Sequence, residues 1–486
     1  NILEKTIANR SAVQHCVPCP DGARICNATD IEMQLGMMIE QKNISRAWRC
    51  PNSLACKGGN VSSNASSKMC AEGYGGVGCA ECTNNHARSN SNVFICLKCA
   101  DDIWGRVKDY VLFLASDAVI FIISAAGVVT AGRQNKNSKV YLNQLLSFAA
   151  VTAPALLALK STISFVSDVS IEHQLQSLVT TLVQLIPFVS APVQVGDAGA
   201  SANNGSTACI LRYLGMEPYL ASSHFLSSVL YIVLTLSLAA KCGMSVAVVV
   251  GINCFLPKFV AAFGSYLICF RMEPAPFGKM HCLMGEDRLG ATIRAIAFLA
   301  MMSCFIAGPG LWITMTRDKN LSDKPEVLFL TRSYRKGFES WEVERLVRRM
   351  VLKIIGSTLP ISVNPLAQMA CVSLVLVASL FLHAKQAPYA KDEWNEIEHG
   401  LLVTALSIVI LTTLHFANAR HWARDDGAHV LLTLAIIGTV GVAGFFQSFL
   451  LIRELIRERQ PQPVNTPEPM ESIEPTEGED GEVSKD

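Results

Sequence analysis

Between residues 110 and 452 the apolar positions gather into runs of about 14 to 26 residues, separated by short polar segments. An α-helix rises 1.5 Å per residue, so about 20 apolar residues cross a hydrocarbon layer of roughly 30 Å. By that measure the pattern predicts an all-α polytopic membrane protein of about nine transmembrane helices, over 110–131, 141–159, 220–240, 245–270, 295–315, 350–363, 366–383, 401–416 and 430–452. The sixth run is the shortest. It reaches only about 21 Å and contains Lys353, so it needs a helical lead-in from the amphipathic "SWEVERLVRRM" or a locally thinned bilayer to cross. A further stripe, Leu175, Leu178, Val179, Leu182, Val183 and Ile186, has polar residues on its opposite side. It predicts an amphipathic segment lying on the outer interface, not a tenth span.

The first hundred residues read differently. Trp48, Tyr74 and Phe94 are their only aromatics, too few for a conventional core. They carry instead ten of the 17 cysteines: Cys16, Cys19, Cys26, Cys50, Cys56, Cys70, Cys79, Cys82, Cys96 and Cys99. Two chemistries compete for them. Cys79-x2-Cys82 followed by Cys96-x2-Cys99 has nearly the spacing of a four-thiolate zinc site, but the other six cysteines do not fit it. Five Asn-x-Ser/Thr acceptors, at Asn9, Asn27, Asn43, Asn60 and Asn64, suit a glycan-bearing surface in an oxidising space and favour disulfides. Each bridge then contributes about 2 to 4 kcal/mol by restricting the unfolded chain. In "GYGGVGCAEC" the glycines predict sharp turns between bridged cysteines, covered by Tyr74, and no strand-then-helix context supports a nucleotide loop. In the membrane part, Cys269 and Cys282 flank a predicted outer turn and predict a bridge, with Cys209 either paired to the N-terminal module or free.

Composition fits this division. Half of the residues are hydrophobic and 17% are charged, too apolar for an ordinary soluble chain, while a net charge of +1 without a basic stripe argues against a nucleic-acid partner. The predicted inner segments are richer in Lys and Arg than the outer ones, which places the N-terminus outside and, with odd parity, the C-terminus in the cytosol. Three domains result: a cysteine-rich extracellular module over 1–104, a multi-pass domain over 105–455 and an acidic, proline-rich tail over 456–486 that cannot bury enough apolar surface to fold. The chain opens on Asn1 with no charged-then-apolar leader, the expectation for a processed or excised product.

Several motifs resemble a known family. "CPNSLACKGGN", "CAEGYGGVGCAEC" and "FICLKC" are similar to the ephrin-receptor-like or epidermal-growth-factor-like cysteine repeats that precede multi-pass domains in large protist surface proteins. "FIAGPGLWITM", "FLTRSYRKGFESWEVERLVRRM" and "APYAKDEWNEIEHG" resemble the transient-receptor-potential-like membrane domain of fungi and protists, over about residues 100 to 455. The resemblance puts Pro309, Trp341, Glu342, Arg348, Arg349, Pro388, Tyr389, Asn395 and Glu398 at family positions and implies a surface ion channel. A simpler reading stands beside it: Trp341 and Tyr389 anchor helices at the inner interface, Arg348 and Arg349 follow the positive-inside pattern, and Pro309 makes an ordinary kink.

Charges within spans ask for a partner or a water-filled path. Asp117, Lys258 and Lys353 qualify, with Asn253 one turn before Pro257, and an Asp117–Lys258 pair between neighbouring helices is one expectation. Metalloprotease, hydrolase, Walker, EF-hand and dinucleotide motifs are missing, so neither an enzyme nor a cofactor is expected. A plasma-membrane channel is the first expectation, a non-conducting receptor or adhesion protein the second and a lipid or small-solute transporter the third. The bilayer, a ligand or matrix at the module and an adaptor at the tail are the partners this organisation admits. If the 175–186 stripe does not cross, Asn204 lies outside; on expression in glycosylating cells its peptide is expected to carry a glycan, and an unmodified Asn204 beside occupied Asn27 and Asn43 contradicts that topology.

Overall fold

The computed structural model describes residues 2–4, 15–17, 19–20, 22–27, 31–34, 36–40, 43–50, 52, 55–60, 70–83, 85–88, 93–108 and 110–111. It also describes individual positions from 118 to 155, then 207–216, 220–271, 280–285, 287–322, 324–359, 365–420 and 426–459. Outside these lie Asp117, Asn9, Asn64, Asn204, the 175–186 stripe, most of the first two predicted spans and the tail.

Short antiparallel pairs build the N-terminal region. Ala23–Cys26, Ile31–Met33 and Gly59–Asn60 form a three-stranded sheet, and Met37–Glu40 pairs with Asn43–Arg49. Tyr74–Gly75 pairs with Glu81–Cys82, and His86–Arg88 with Cys96–Lys98. Strands this short do not hold by themselves, and bridges fix them: Cys19–Cys26, Cys50–Cys56, Cys70–Cys79 and Cys82–Cys96. This overturns the zinc alternative, because Cys79, Cys82, Cys96 and Cys99 are all oxidised in disulfides and none keeps the thiolate that zinc would need. Cys50, Cys56 and Cys79 do cluster, but as the touching sulfurs of two stacked disulfides. The glycine-rich turn is structural as expected. Gly73 and Gly76 have φ of +87° and +69°, and a Cβ on Gly73 would strike the His86 ring.

The rest is helical. Helices α1 (Thr207–Tyr213), α2 (Leu220–Cys242), α3 (Met244–Cys254), α4 (Leu256–Tyr266), α5 (Arg288–Arg317), α6 (Pro325–Thr331), α7 (Trp341–Thr358), α8 (Pro365–Gln386), α9 (Asp392–Arg420) and α10 (Asp426–Arg459) follow one another. Among the described residues five are long and apolar enough to cross a membrane, α2, α5, α8, α9 and α10, or six if α3 and α4, bent by 45° at Phe255, make one span. Large apolar side chains such as Phe225, Leu236, Leu374, Val442 and Phe445 stand exposed along these helices, the surface a hydrocarbon solvent would cover. Between them, Met369, Leu376, Ile408 and Ile436 form a core where α8, α9 and α10 meet.

The predicted sixth span turns out to be the second half of α7, which does not meet the same test, since Glu342, Glu344, Arg345, Arg348, Arg349 and Lys353 make it amphipathic. Helix α7 starts at the loop holding Tyr334, and its last turn lies against Gly264 of α4, where a Cβ would meet Ser357. It packs along α4, α5 and α8, and none of its residues is exposed.

At that far end the cysteine-rich region docks on the bundle. Cys99 bonds Cys209 of α1, confirming the paired alternative, and Arg212 donates to the Thr83 and His86 carbonyls at 2.9 and 2.6 Å. Phe94 meets Phe270 edge-on, rings 5.4 Å apart, beside the expected Cys269–Cys282 bridge. A disulfide requires both sulfurs in one compartment, so the chain between Cys99 and Cys209 crosses any membrane an even number of times. The bridge spans 110 residues and is expected to contribute about 4 to 5 kcal/mol; Cys209→Ser lowers unfolding stability by that amount while Cys19→Ser costs less, read by denaturant unfolding under oxidising conditions.

Candidate functional site

Two loops meet at the opposite end of the bundle from the cysteine-rich region. The backbone of Arg335 donates to the Pro388 carbonyl and that of Ala390 to the Ser333 carbonyl, both at 2.9 Å, and Tyr334 and Tyr389 form a β-bridge with rings 5.2 Å apart. The second loop turns through Ala387 at φ +40°. Asn395 of α9 holds it, accepting from the Tyr389 backbone N–H and donating to the Tyr389 carbonyl, both at 3.0 Å. Both phenols are buried. Loss of water, reinforced by the Glu342 carboxylate at Tyr334 and by Glu398 at Tyr389, pushes both pKa values up, so both hydroxyls stay protonated.

Beneath this aromatic pair lies a buried ionic network. Glu342 accepts from Tyr334 Oη at 2.7 Å and faces Arg345 at 3.4 Å and Arg349 at 3.5 Å. Arg348 lies 3.1 Å from Glu398 of α9 and 3.6 Å from Glu344, which also accepts from Ser379 of α8 at 2.7 Å. Arg345 donates onward to the Asn143 carbonyl at 3.0 Å. Three guanidiniums thus face three carboxylates, a neutral set, which the interior requires because an uncompensated ion there costs several kcal/mol. Completion is not total. Tyr389 Oη, Glu398 Oε2 and Arg345 Nε are buried with no hydrogen-bond partner.

Arg349 links this network to the broken helix. Its Nη2 donates to Asn253 Oδ1 at 2.9 Å, placing a cation beside the last turn of α3, the negative end of its dipole. Pro257, buried at the start of α4, cannot supply an N–H there. Phe255 at the break stacks between Phe121 and Tyr231, at 5.1 and 4.5 Å, and Lys258 Nζ sits 5.0 Å from the Tyr231 ring centroid. A cation–π contact of this kind can hold a half-buried ammonium. The expected Asp117 partner lies outside the described residues.

The structure therefore brings together Glu342, Arg348, Arg349, Tyr389, Asn395 and Glu398, with Trp341 and Pro388 buried at the margin and Asn253 one step away. Lys353 and Pro309 stand apart from it. Pro309 sits inside a continuous α5, and the neighbouring Gly308 matters more, since a Cβ there would collide with Leu256. Of the described glycan acceptors, Asn27 ends the strand Ala23–Cys26, Asn43 opens Asn43–Arg49 and Asn60 lies in Gly59–Asn60. Cys242, Cys254, Cys304 and Cys371 form no disulfide. Sequence reasoning missed Tyr334, Glu344, Arg345, Ser379 and Asn143. The available signal was the helical spacing of "WEVERLVRR", with acids at positions 342 and 344 and bases three to five residues on.

Chemically the arrangement is a latch. It joins α7 to α9 through an ion pair and to α8 and α3 through hydrogen bonds to charged groups, contacts whose breaking leaves buried charge unpaired. No family model, curated protein or solved structure matches the chain. The reading of the site thus rests on its geometry.

Glu342→Gln removes the acceptor shared by two guanidiniums and a phenol, and is expected to destabilise the detergent-solubilised chain by about 3 to 5 kcal/mol. Asp392→Asn breaks only an exposed pair with Arg335 and is expected to cost under about 1 kcal/mol. Equal losses in denaturant unfolding would contradict the electrostatic account.

Proposed function

We propose that this chain is a plasma-membrane ion channel or channel-like sensor of about nine spans, similar to the transient-receptor-potential-like proteins its motifs resemble. Its cysteine-rich module faces outward and its tail the cytosol. One observation carries the reading: the broken α3–α4 pair has Asn253 and Lys258 at its break and connects the two ends of the molecule. At one end, Ile268 and Phe270, just after α4, pack with Phe94 of the module. At the other, Asn253 takes the guanidinium of Arg349 and through it the latch. Discontinuous helices inside membrane proteins place free backbone groups where ions or substrates pass, and intramembrane charge is rarely retained without use. A ligand or load on the module therefore has a physical route to the break. The Cys99–Cys209 bond supports the predicted topology too: spans at 110–131 and 141–159 give the even count it needs, and a third crossing at 175–186 would not.

A non-conducting receptor is the second reading, favoured by the neutral, densely paired network, which resembles a packing device as much as a gate. Single-channel recording of the purified, reconstituted chain separates the two. The channel reading expects unitary currents, and expects Lys258→Met, at parental expression, to shift open probability or conductance by about tenfold, an energetic change of about 1.4 kcal/mol. Silent bilayers at verified incorporation, or parental currents in Lys258→Met, count against it.

A further inference from the structure

A cavity of about 820 Å³ opens sideways between α9 and α10. That volume lies in the range of small-molecule sites, about 300 to 1,000 Å³. Its depth comes from missing side chains. Gly400 on α9 and Gly438 on α10 line it, and a Cβ built on either meets nothing within 4 Å. These glycines therefore do not serve helix contact. Leu401, Val442 and Phe446 supply apolar walls. Both helices are of the length and composition that cross a membrane, so a groove open between them faces lipid and not water.

Most hydrogens of the groove's polar groups are already committed. Thr404 donates to the Gly400 carbonyl at 2.8 Å and Thr439 to the Ala435 carbonyl at 2.7 Å. Gln447 is fully buried, and its Nε2 donates to the Tyr141 carbonyl at 3.1 Å while its Oε1 has no partner. Glu396 is the one charged residue of the lining. Acceptors outnumber donors: the second N–H of Gln447 stands against its own Oε1, the two threonine oxygens and the Glu396 carboxylate. A phosphate or carboxylate headgroup would meet mostly oxygen lone pairs and the Glu396 carboxylate, an arrangement that repels it. A hydroxyl has the proton these acceptors lack.

The placement agrees with an amphiphile. Glu396 lies about one turn into α9, at the end of the bundle where the latch sits, and Thr404 is about 12 Å deeper along the helix axis. Along α10 the lining from Ala435 to Gln447 covers about 18 Å, more than half of a roughly 30 Å hydrocarbon layer. We propose that this groove binds a neutral lipid alcohol, a sterol or an acylglycerol, with its hydroxyl toward Glu396 and Gln447 and its apolar body along Gly400 and Gly438.

The test uses the full chain in phosphatidylcholine nanodiscs with two photoreactive probes in parallel, a sterol and a diacylglycerol, and maps labelled peptides by mass spectrometry. At least one probe is expected to label 396–404 or 435–447, and the matching unlabelled alcohol is expected to suppress that labelling about tenfold. The probe that labels identifies the source. Phosphatidic acid at the same concentration is expected to leave the labelling unchanged. Gly438→Phe fills the groove and is expected to reduce labelling at least about fivefold, with Gly400→Leu as a second filling variant on the other wall. Both variants enter open space, so parental unfolding behaviour accompanies the loss. The proposal is overturned if neither probe labels these segments, if phosphatidic acid competes as well as the alcohol, or if labelling survives both filling variants.

Discussion

A guanidinium inside an apolar bundle must find a carboxylate, and α7 carries three of them. Arg345 and Arg349 share one face of the helix and both reach Glu342, while Arg348 points aside toward Glu344 and Glu398. Glu342 and Glu344 on the same helix satisfy part of the demand. The remainder recruits Glu398 from α9 and Asn253 from α3, while Ser379 of α8 satisfies Glu344. Which helices surround α7, and in what register, is thus fixed by charge at this end, where apolar packing alone would tolerate sliding. The Tyr334–Tyr389 pair closes the network from the loops and keeps its protons because burial forbids the phenolate.

The other end is held by a different logic. A hundred residues with three aromatics cannot fold on apolar burial, and covalent bonds substitute for it. The same shortage explains the docking. Phe94, one of those aromatics, is buried against Phe270 and Ile268 of the bundle and not within the module itself. Arg212 then seats on two carbonyls that the glycine-rich turn and its neighbouring strands present. Module and bundle therefore complete one another's surfaces.

Much of this was legible beforehand. Apolar runs located α2, α5, α8, α9 and α10, closely for α2 and α8 but about seven to nine residues short at the start of α5 and α9 and at the end of α10, where the helices continue into polar sequence, and cysteine density with glycan acceptors pointed to disulfides. The Cys269–Cys282 bridge followed from its flanking a turn. Run length alone does not describe α7, because hydropathy measures transfer into lipid and the charged sides of α7 pack against protein. The run over 245–270 hid a break, since Pro257 at a helix start reads the same in sequence as Pro in a kink. Arg348 and Arg349 illustrate the remaining gap: two adjacent bases obey a charge rule on paper, yet each has a separate buried partner more than 45 residues away along the chain. Pairing over that distance is a property of the fold.

The Cys99–Cys209 bond also imposes an order on biosynthesis. Its sulfurs are 110 residues apart, so the ring cannot close while the ribosome is still making the segment between them. Cys99 must wait as a thiol, exposed to the shorter-range partners Cys82 and Cys96 beside it, until helix α1 has been delivered to the same compartment. Oxidation that runs ahead of synthesis would leave the module mispaired and detached, which makes correct assembly of the head report on completed insertion of the apolar chain that follows it.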